Sequence, residues 1–98
     1  MPAKMKLTRW DPVDHLRTPA DMAHYLEAAI DDGDPQLITA VLGDIARAKG
    51  MTHVARESGL GRESLYKALS ENGNPEFATI LKVIAALGLK LKAVPVKK

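Results

Sequence analysis

Apolar residues recur every three or four positions along most of the chain, and this spacing predicts amphipathic helices. A short helical turn is predicted after Asp11-Pro12, followed by helices over residues 19–31 and 35–49. The two helices follow Thr18-Pro19 and Asp34-Pro35, pairs in which the first side chain can cap the helix and proline suits its first turn. The predicted buried stripes are Met22, Tyr25, Leu26, Ala29 and Ile30 in the first helix, and Leu37, Ile38, Val41, Leu42 and Ile45 in the second.

The second half of the chain predicts three shorter helices and a strand. Two helices cover residues 52–58 and 62–70, and the last covers 75–87 after another capping pair, Asn74-Pro75. The apolar stripe of the last helix is predicted to be Phe77, Ile80, Leu81, Ile84 and Leu87. Residues 89–94 alternate between apolar and polar, as a strand does, and Lys4–Thr8 alternate as well. These two ends could pair within one chain or between two chains.

Composition limits the class of protein. The chain has 98 residues, of which 46% are apolar, enough for one small domain with a core. It has no cysteine, which excludes disulfides and thiolate zinc sites and fits a reducing compartment. No apolar run approaches the roughly 18 residues that a bilayer requires, and no secretory signal is present. We therefore expect a soluble cytoplasmic protein without a membrane partner.

The polar residues do not suggest catalysis. His15, His24 and His53 lie in separate segments without the spacing of metal ligands. No serine or threonine has a plausible base nearby in the predicted helices. We expect neither an enzyme nor a protein that needs a cofactor or metal.

Charge is divided unevenly along the chain. Residues 1–46 carry 8 acidic and 4 basic side chains, whereas residues 47–98 carry 4 acidic and 10 basic ones. This division is typical of a protein with an acidic and a basic surface that bind different partners, although chance asymmetry of a solvated surface is an alternative.

The basic half contains a pattern typical of a helix-turn-helix. Ala55 is small enough for two helices to cross, and Gly59 can adopt the left-handed conformation of the turn between them. The inward anchors are predicted to be Val54, Leu60, Leu65 and Ala68 or Leu69. An ordinary helical hairpin would show the same Ala-x-x-x-Gly spacing, but the outward residues of the second helix are basic and aromatic.

The candidate DNA-binding residues belong to the second helix and to the two helix starts. Thr52 can cap the first helix of the motif, whose N-terminus could then approach a phosphate, and Gly61 takes the cap position of the second. The complete set of candidates is Thr52, Gly61, Arg62, Glu63, Ser64, Tyr66 and Lys67.

Four segments resemble the addiction module antidote family. They are Tyr25–Ala29, Leu42–Met51, Arg62–Leu69 and Gly73–Pro75, within a similarity that extends from about Trp10 to Leu91. The members are antitoxins with a lambda-repressor-like helix-turn-helix, akin to the antitoxin of the host-inhibition-of-growth system. Together, the predicted elements and this resemblance indicate one all-α, five-helix domain over residues 1–98. Its parts would be a helical extension at 1–34, a helix-turn-helix core at 35–88, and a short strand with a basic tail at 89–98.

The resemblance also implies a type II toxin–antitoxin pair. The partner would be a small, basic toxin of the RelE/ParE superfamily, commonly an mRNA-cleaving ribonuclease, encoded by the adjacent gene. The antitoxin would bind this toxin and repress their shared operon. Many relatives have serine at the position of Gly61, so this chain departs from the family there.

Two other functions are compatible with the residues. A stand-alone or phage-type regulator of the same fold would lack an adjacent toxin gene, and an interaction module would have lost DNA binding. One recognition helix reads few base pairs, so a DNA-binding protein of this size is expected to act as a homodimer on an inverted repeat. The acidic surface of residues 1–34 would face the toxin, since DNA would repel it.

Overall fold

The computed structural model describes residues 11–96, and in this range the chain is helical. A 3-10 turn at Pro12–His15 precedes five helices, which we label α1 to α5. They are α1 (Pro19–Asp32), α2 (Pro35–Lys49), α3 (Met51–Ser58), α4 (Arg62–Ala68) and α5 (Phe77–Ala86). Within these residues, the prediction of an all-α fold with five helices is confirmed.

The proline pairs start the first two helices as the sequence predicts. Thr18 Oγ1 accepts a hydrogen bond from the backbone N–H of Asp21, at 3.1 Å, and the Asp21 carboxylate accepts one from the N–H of Thr18, also at 3.1 Å. This reciprocal pair is a capping box. Backbone N–H groups of Arg17 and Thr18 bond to the Asp21 carboxylate and lower its pKa. At the start of α2, Asp34 accepts from the N–H of Gln36 at 3.0 Å.

The core forms where α2, α3 and α5 meet. The largest fully buried side chains are Leu42, Ile45, Val54, Leu65, Val83 and Leu87. Helix α3 contacts α2, α4 and α5, while α1 packs on α2 through Met22, Leu26 and Ala29. The short helix α3 is therefore the common support of the second half of the fold.

Two predictions about the C-terminal region are wrong. Residues 89–94 form no strand, because a strand needs a partner and no other segment within residues 11–96 pairs with them. These residues line a groove of about 280 Å³ with α1 instead. Helix α5 begins at Phe77 rather than at Pro75, because Glu76 is extended (φ −66°, ψ 156°) and Asn74 caps nothing. The other segment expected to pair, at residues 4–8, lies outside the described part of the chain.

Four residues assigned to the buried stripes are exposed. They are Ile30, Leu37, Phe77 and Leu81. In α5, the buried side is formed by Val83, Ile84 and Leu87. The exposed residues Phe77 and Leu81 lie about 90° around the helix from that side. The sequence pattern of α5 therefore predicts a single buried stripe, whereas the helix has one buried apolar side and one exposed apolar side.

Candidate nucleic-acid interface

The turn between α3 and α4 has the conformation that the sequence predicts. Gly59 is left-handed, with φ 76° and ψ 9°, and its N–H donates to the carbonyl oxygens of Ala55 (3.0 Å) and Arg56 (3.3 Å). The hydroxyl of Ser58 donates to the same Ala55 carbonyl at 3.2 Å and accepts from the N–H of Leu60 at 3.3 Å. These bonds satisfy the end of α3 and fix the direction in which the chain enters α4.

The inner surfaces of α3 and α4 bury apolar anchors that the sequence predicts. Val54 and Leu65 are fully buried, and Ala55 is 4% exposed where the two helices meet. The other end of α4 lies against α2, where a Cβ atom built on Gly43 would be 3.3 Å from the carbonyl oxygen of Leu69. The absence of a side chain at Gly43 therefore lets α2 approach the end of α4 closely.

The outer surface of α4 is polar and largely solvent-exposed. Its exposed side chains are Arg62, Glu63, Ser64, Tyr66 and Lys67. The guanidinium of Arg62 donates to the hydroxyl of Tyr66 at 3.0 Å and lies 5.4 Å from the centre of the Tyr66 ring. The structure thus brings five of the seven candidates together on one helix and orders two of them through a mutual contact.

Gly61, the sixth candidate, is the residue before α4 and has a backbone conformation that favours glycine. Its φ of 79° and ψ of 155° lie in a region that is essentially restricted to glycine. This conformation gives a physical reason for glycine at this position. No side chain caps α4.

The prediction that Thr52 caps the first helix of the motif is wrong. Helix α3 begins one residue earlier, at Met51, its cap residue is Gly50, and no side chain caps it. The buried side chain of Met51 extends the apolar surface of α3 into this first turn. Thr52 is exposed in the same turn, so it remains near the helix start but without the capping bond.

A hydrogen-bonded cluster that the sequence analysis missed ties α1 to α2. The hydroxyl of Tyr25 donates to Asp44 Oδ2 at 2.6 Å, and Arg47 Nη2 contacts Asp44 Oδ1 at 2.7 Å. Burial raises the pKa of Tyr25 to about 12. The hydrogen bond to Asp44 and the negative charge of the Asp44 carboxylate also raise this pKa. The three-residue spacing of Asp44 and Arg47 on a helix could have suggested their ion pair. Nothing in the sequence indicated that the Tyr25 hydroxyl would bond to Asp44.

Within the described range the structure contains no group of three or more histidine, aspartate or glutamate side chains suited to a metal ion. No helix among residues 11–96 is both long and apolar enough to cross a membrane.

Comparison with known proteins finds one matching family model and a bacterial relative. Residues 6–95 match the model of a family described as probable addiction module antidote protein. An uncharacterised protein of Haemophilus influenzae is 44% identical over 87 residues, which make up 89% of this chain and 90% of that protein. No solved structure matches the chain.

Proposed function

This chain belongs to the family of probable addiction module antidote proteins, and on that basis we propose that it is an antitoxin which also represses its own operon. The family's role implies a toxin partner. We propose further that this toxin is of the RelE/ParE type and that α3 and α4 form a lambda-repressor-like helix-turn-helix that binds operator DNA. The protein would act in the cytoplasm by binding rather than by catalysis.

The outer surface of α4 is the observation that carries the DNA-binding proposal. It combines the cationic side chains of Arg62 and Lys67 with the hydroxyls of Ser64 and Tyr66. Such groups donate hydrogen bonds to phosphates and to base edges in the major groove. Leu65, on the opposite side of α4, is fully buried, so substitutions on the outer surface should leave the packing of the helix unchanged.

A mobility-shift assay with the DNA upstream of the gene tests this proposal. Arg62→Ala and Tyr66→Ala should each weaken specific binding by about 1–3 kcal/mol, the usual value of a lost base contact. Because the two side chains contact each other, the double variant should lose less than the sum of the single losses.

Arg17→Ala is the matched control for Arg62→Ala. It removes the same charge from an exposed position that precedes α1, outside the helix-turn-helix. If both α4 variants shift DNA as well as this control at physiological salt, the proposed interface is wrong.

The acidic surface of the first half is the proposed binding site for the toxin. Asp31, Asp32 and Asp34 are exposed at the end of α1 and the start of α2, and none of them forms a salt bridge within residues 11–96. A basic toxin would be attracted to them, which raises the association rate and makes it sensitive to salt.

Replacing all three aspartates by asparagine tests the toxin site. Asparagine at residue 34 can still cap α2, so the fold should be retained. We expect a slower association with the toxin from the adjacent gene and a weaker salt dependence, both measured by stopped-flow mixing. The control changes three exposed acidic residues of the basic half to glutamine, namely Glu57, Glu71 and Glu76. Equal association rates for the two triple variants would refute the assignment.

A further inference from the structure

A groove lies along one side of α2, between this helix and the end of α4. Its volume is about 640 Å³, within the range of roughly 300–1,000 Å³ typical of pockets that receive ligands. The side of α2 that lines it carries the small residues Ala40 and Gly43. Small residues on α2 therefore leave a space here that larger side chains would fill.

The floor of this groove is apolar and is partly open to solvent. Leu37 lines the groove and is 40% exposed, although the helix period predicts it on the buried stripe of α2. Leu69 and Met51 also line the groove, and both are buried in the core. A partner that covers Leu37 would gain free energy because it would remove apolar surface from water.

The charge beside the start of α2 favours a basic occupant. Asp44 and Arg47 form an ion pair at 2.7 Å on the wall of the groove, so their charges largely cancel. Asp34 also lines the groove, is exposed, and forms no salt bridge within residues 11–96. An occupant with a lysine or arginine near Asp34 would therefore bind better than an acidic one.

The spacing of these groups defines what the groove fits. Asp34 and Ala40 are six residues apart, which corresponds to about 9 Å along the axis of α2. An extended segment covers this distance in about three residues, since each residue spans about 3.3 Å. The matching occupant is therefore an apolar side chain with a lysine or arginine about three residues away. The phosphates of DNA do not suit this groove, because the carboxylate of Asp34 repels them.

We propose that this groove anchors the toxin by receiving a toxin segment of that chemistry. The proposal rests on the proposed function, in which Asp34 belongs to the acidic surface that binds the toxin. The charges of that surface act at a distance and raise the association rate. Apolar contacts in the groove form only after the two proteins touch, so they mainly lower the dissociation rate.

Leu37→Ala tests the groove with the toxin encoded by the adjacent gene. Because Leu37 is exposed, the change should leave the helical circular dichroism spectrum unchanged. We expect the toxin to dissociate about tenfold faster, as when an anchoring residue of an interface is truncated, with a nearly unchanged association rate. The matched control is Leu91→Ala, since Leu91 is 37% exposed and does not line this groove.

Ala40→Trp blocks the groove without removing an anchor. Ala40 is exposed, so the indole has room on the surface, where it would occupy the space meant for the toxin. The toxin should again dissociate faster than from the control Ala93→Trp, which enlarges an exposed alanine outside the groove. If Leu37→Ala and Ala40→Trp both release the toxin at the rates of their controls, the groove is not the anchor.

Photocross-linking identifies the occupant. The chain has no cysteine, so Ala40→Cys can carry one benzophenone label. With the toxin present, the label should join a toxin peptide in which an apolar residue lies about three residues from a lysine or arginine, since the groove spans that distance. The same label on Ala93→Cys should join little toxin. A cross-link from residue 40 to this chain itself, whether to residues 1–10 or to a second copy, would overturn the proposal.

The same measurements separate this inference from the proposed function. If the unmodified chain binds the toxin but the groove variants behave as their controls, the toxin partner stands and the groove assignment is wrong. If the unmodified chain does not bind the toxin, the antitoxin role fails and the groove assignment fails with it.

Discussion

Replacing Gly61 should destabilise the protein through the backbone alone. The residue has φ 79° and ψ 155°, and an added Cβ atom would meet nothing within 4 Å. A side chain there has space, but it would be held in a conformation that costs about 1–3 kcal/mol. Alanine also restricts the unfolded chain, which returns about 0.4–1 kcal/mol. Gly61→Ala should therefore lower the free energy of unfolding by roughly 1.3 kcal/mol, the difference between the midpoints of these two ranges.

Gly59 offers a matched control for this prediction. It is also a glycine with positive φ, but its ψ of 9° places it in the left-handed region that asparagine tolerates. In urea unfolding followed by circular dichroism, Gly59→Asn should be clearly more stable than Gly61→Asn. A difference of 1 kcal/mol would correspond to about 4–8 °C in Tm for a domain of this size. If the two asparagine variants are equally stable, the conformation at Gly61 does not determine the residue there, and the reasoning fails.

Two further predictions concern α1. Because the folded protein raises the pKa of Tyr25 from 10.0 to about 12, its contribution to stability is fully present below pH 10 and is lost as pH rises through 12. Urea unfolding between pH 10 and pH 12 should show this loss of stability, and the loss should be smaller in Tyr25→Phe. If stability falls with pH equally steeply in that variant, Tyr25 is not the group responsible. Thr18→Ala should cost roughly 0.5–2 kcal/mol in the same assay because the capping box is lost, whereas Thr18→Ser keeps the accepting oxygen and should cost less.

Local chemistry explains which helices could be predicted from the sequence. The capping residues Thr18 and Asp34, each followed by proline, specify a helix start within a few residues, and the structure has α1 and α2 where these pairs place them. Asn74-Pro75 has the same form, but Glu76 after it is extended and the helix starts later. The alternation at residues 89–94 predicts a strand only when a second strand is available, which a local pattern cannot specify.

The parts of the candidate site that could be predicted are those that depend on residues close together in the sequence. Gly59 and Leu65 have roles set by the turn and by the helix period, which are local properties. The contact between Tyr25 and Asp44 joins residues 19 positions apart, so it depends on how α1 packs against α2. Leu81 was assigned to the core because periodicity identifies apolar sides of a helix without identifying what covers them.

The way α4 is attached separates two kinds of evolutionary constraint. Leu65 and Leu69 hold the helix on the protein, whereas Arg62, Tyr66 and Lys67 contribute nothing to the buried core. In the proposed repressor, selection for a new operator could therefore change the outer residues while selection for folding keeps the inner ones. Duplicated copies of such a gene could diverge in the DNA they read within a few substitutions, and paralogous modules in one genome would then avoid repressing each other's operons.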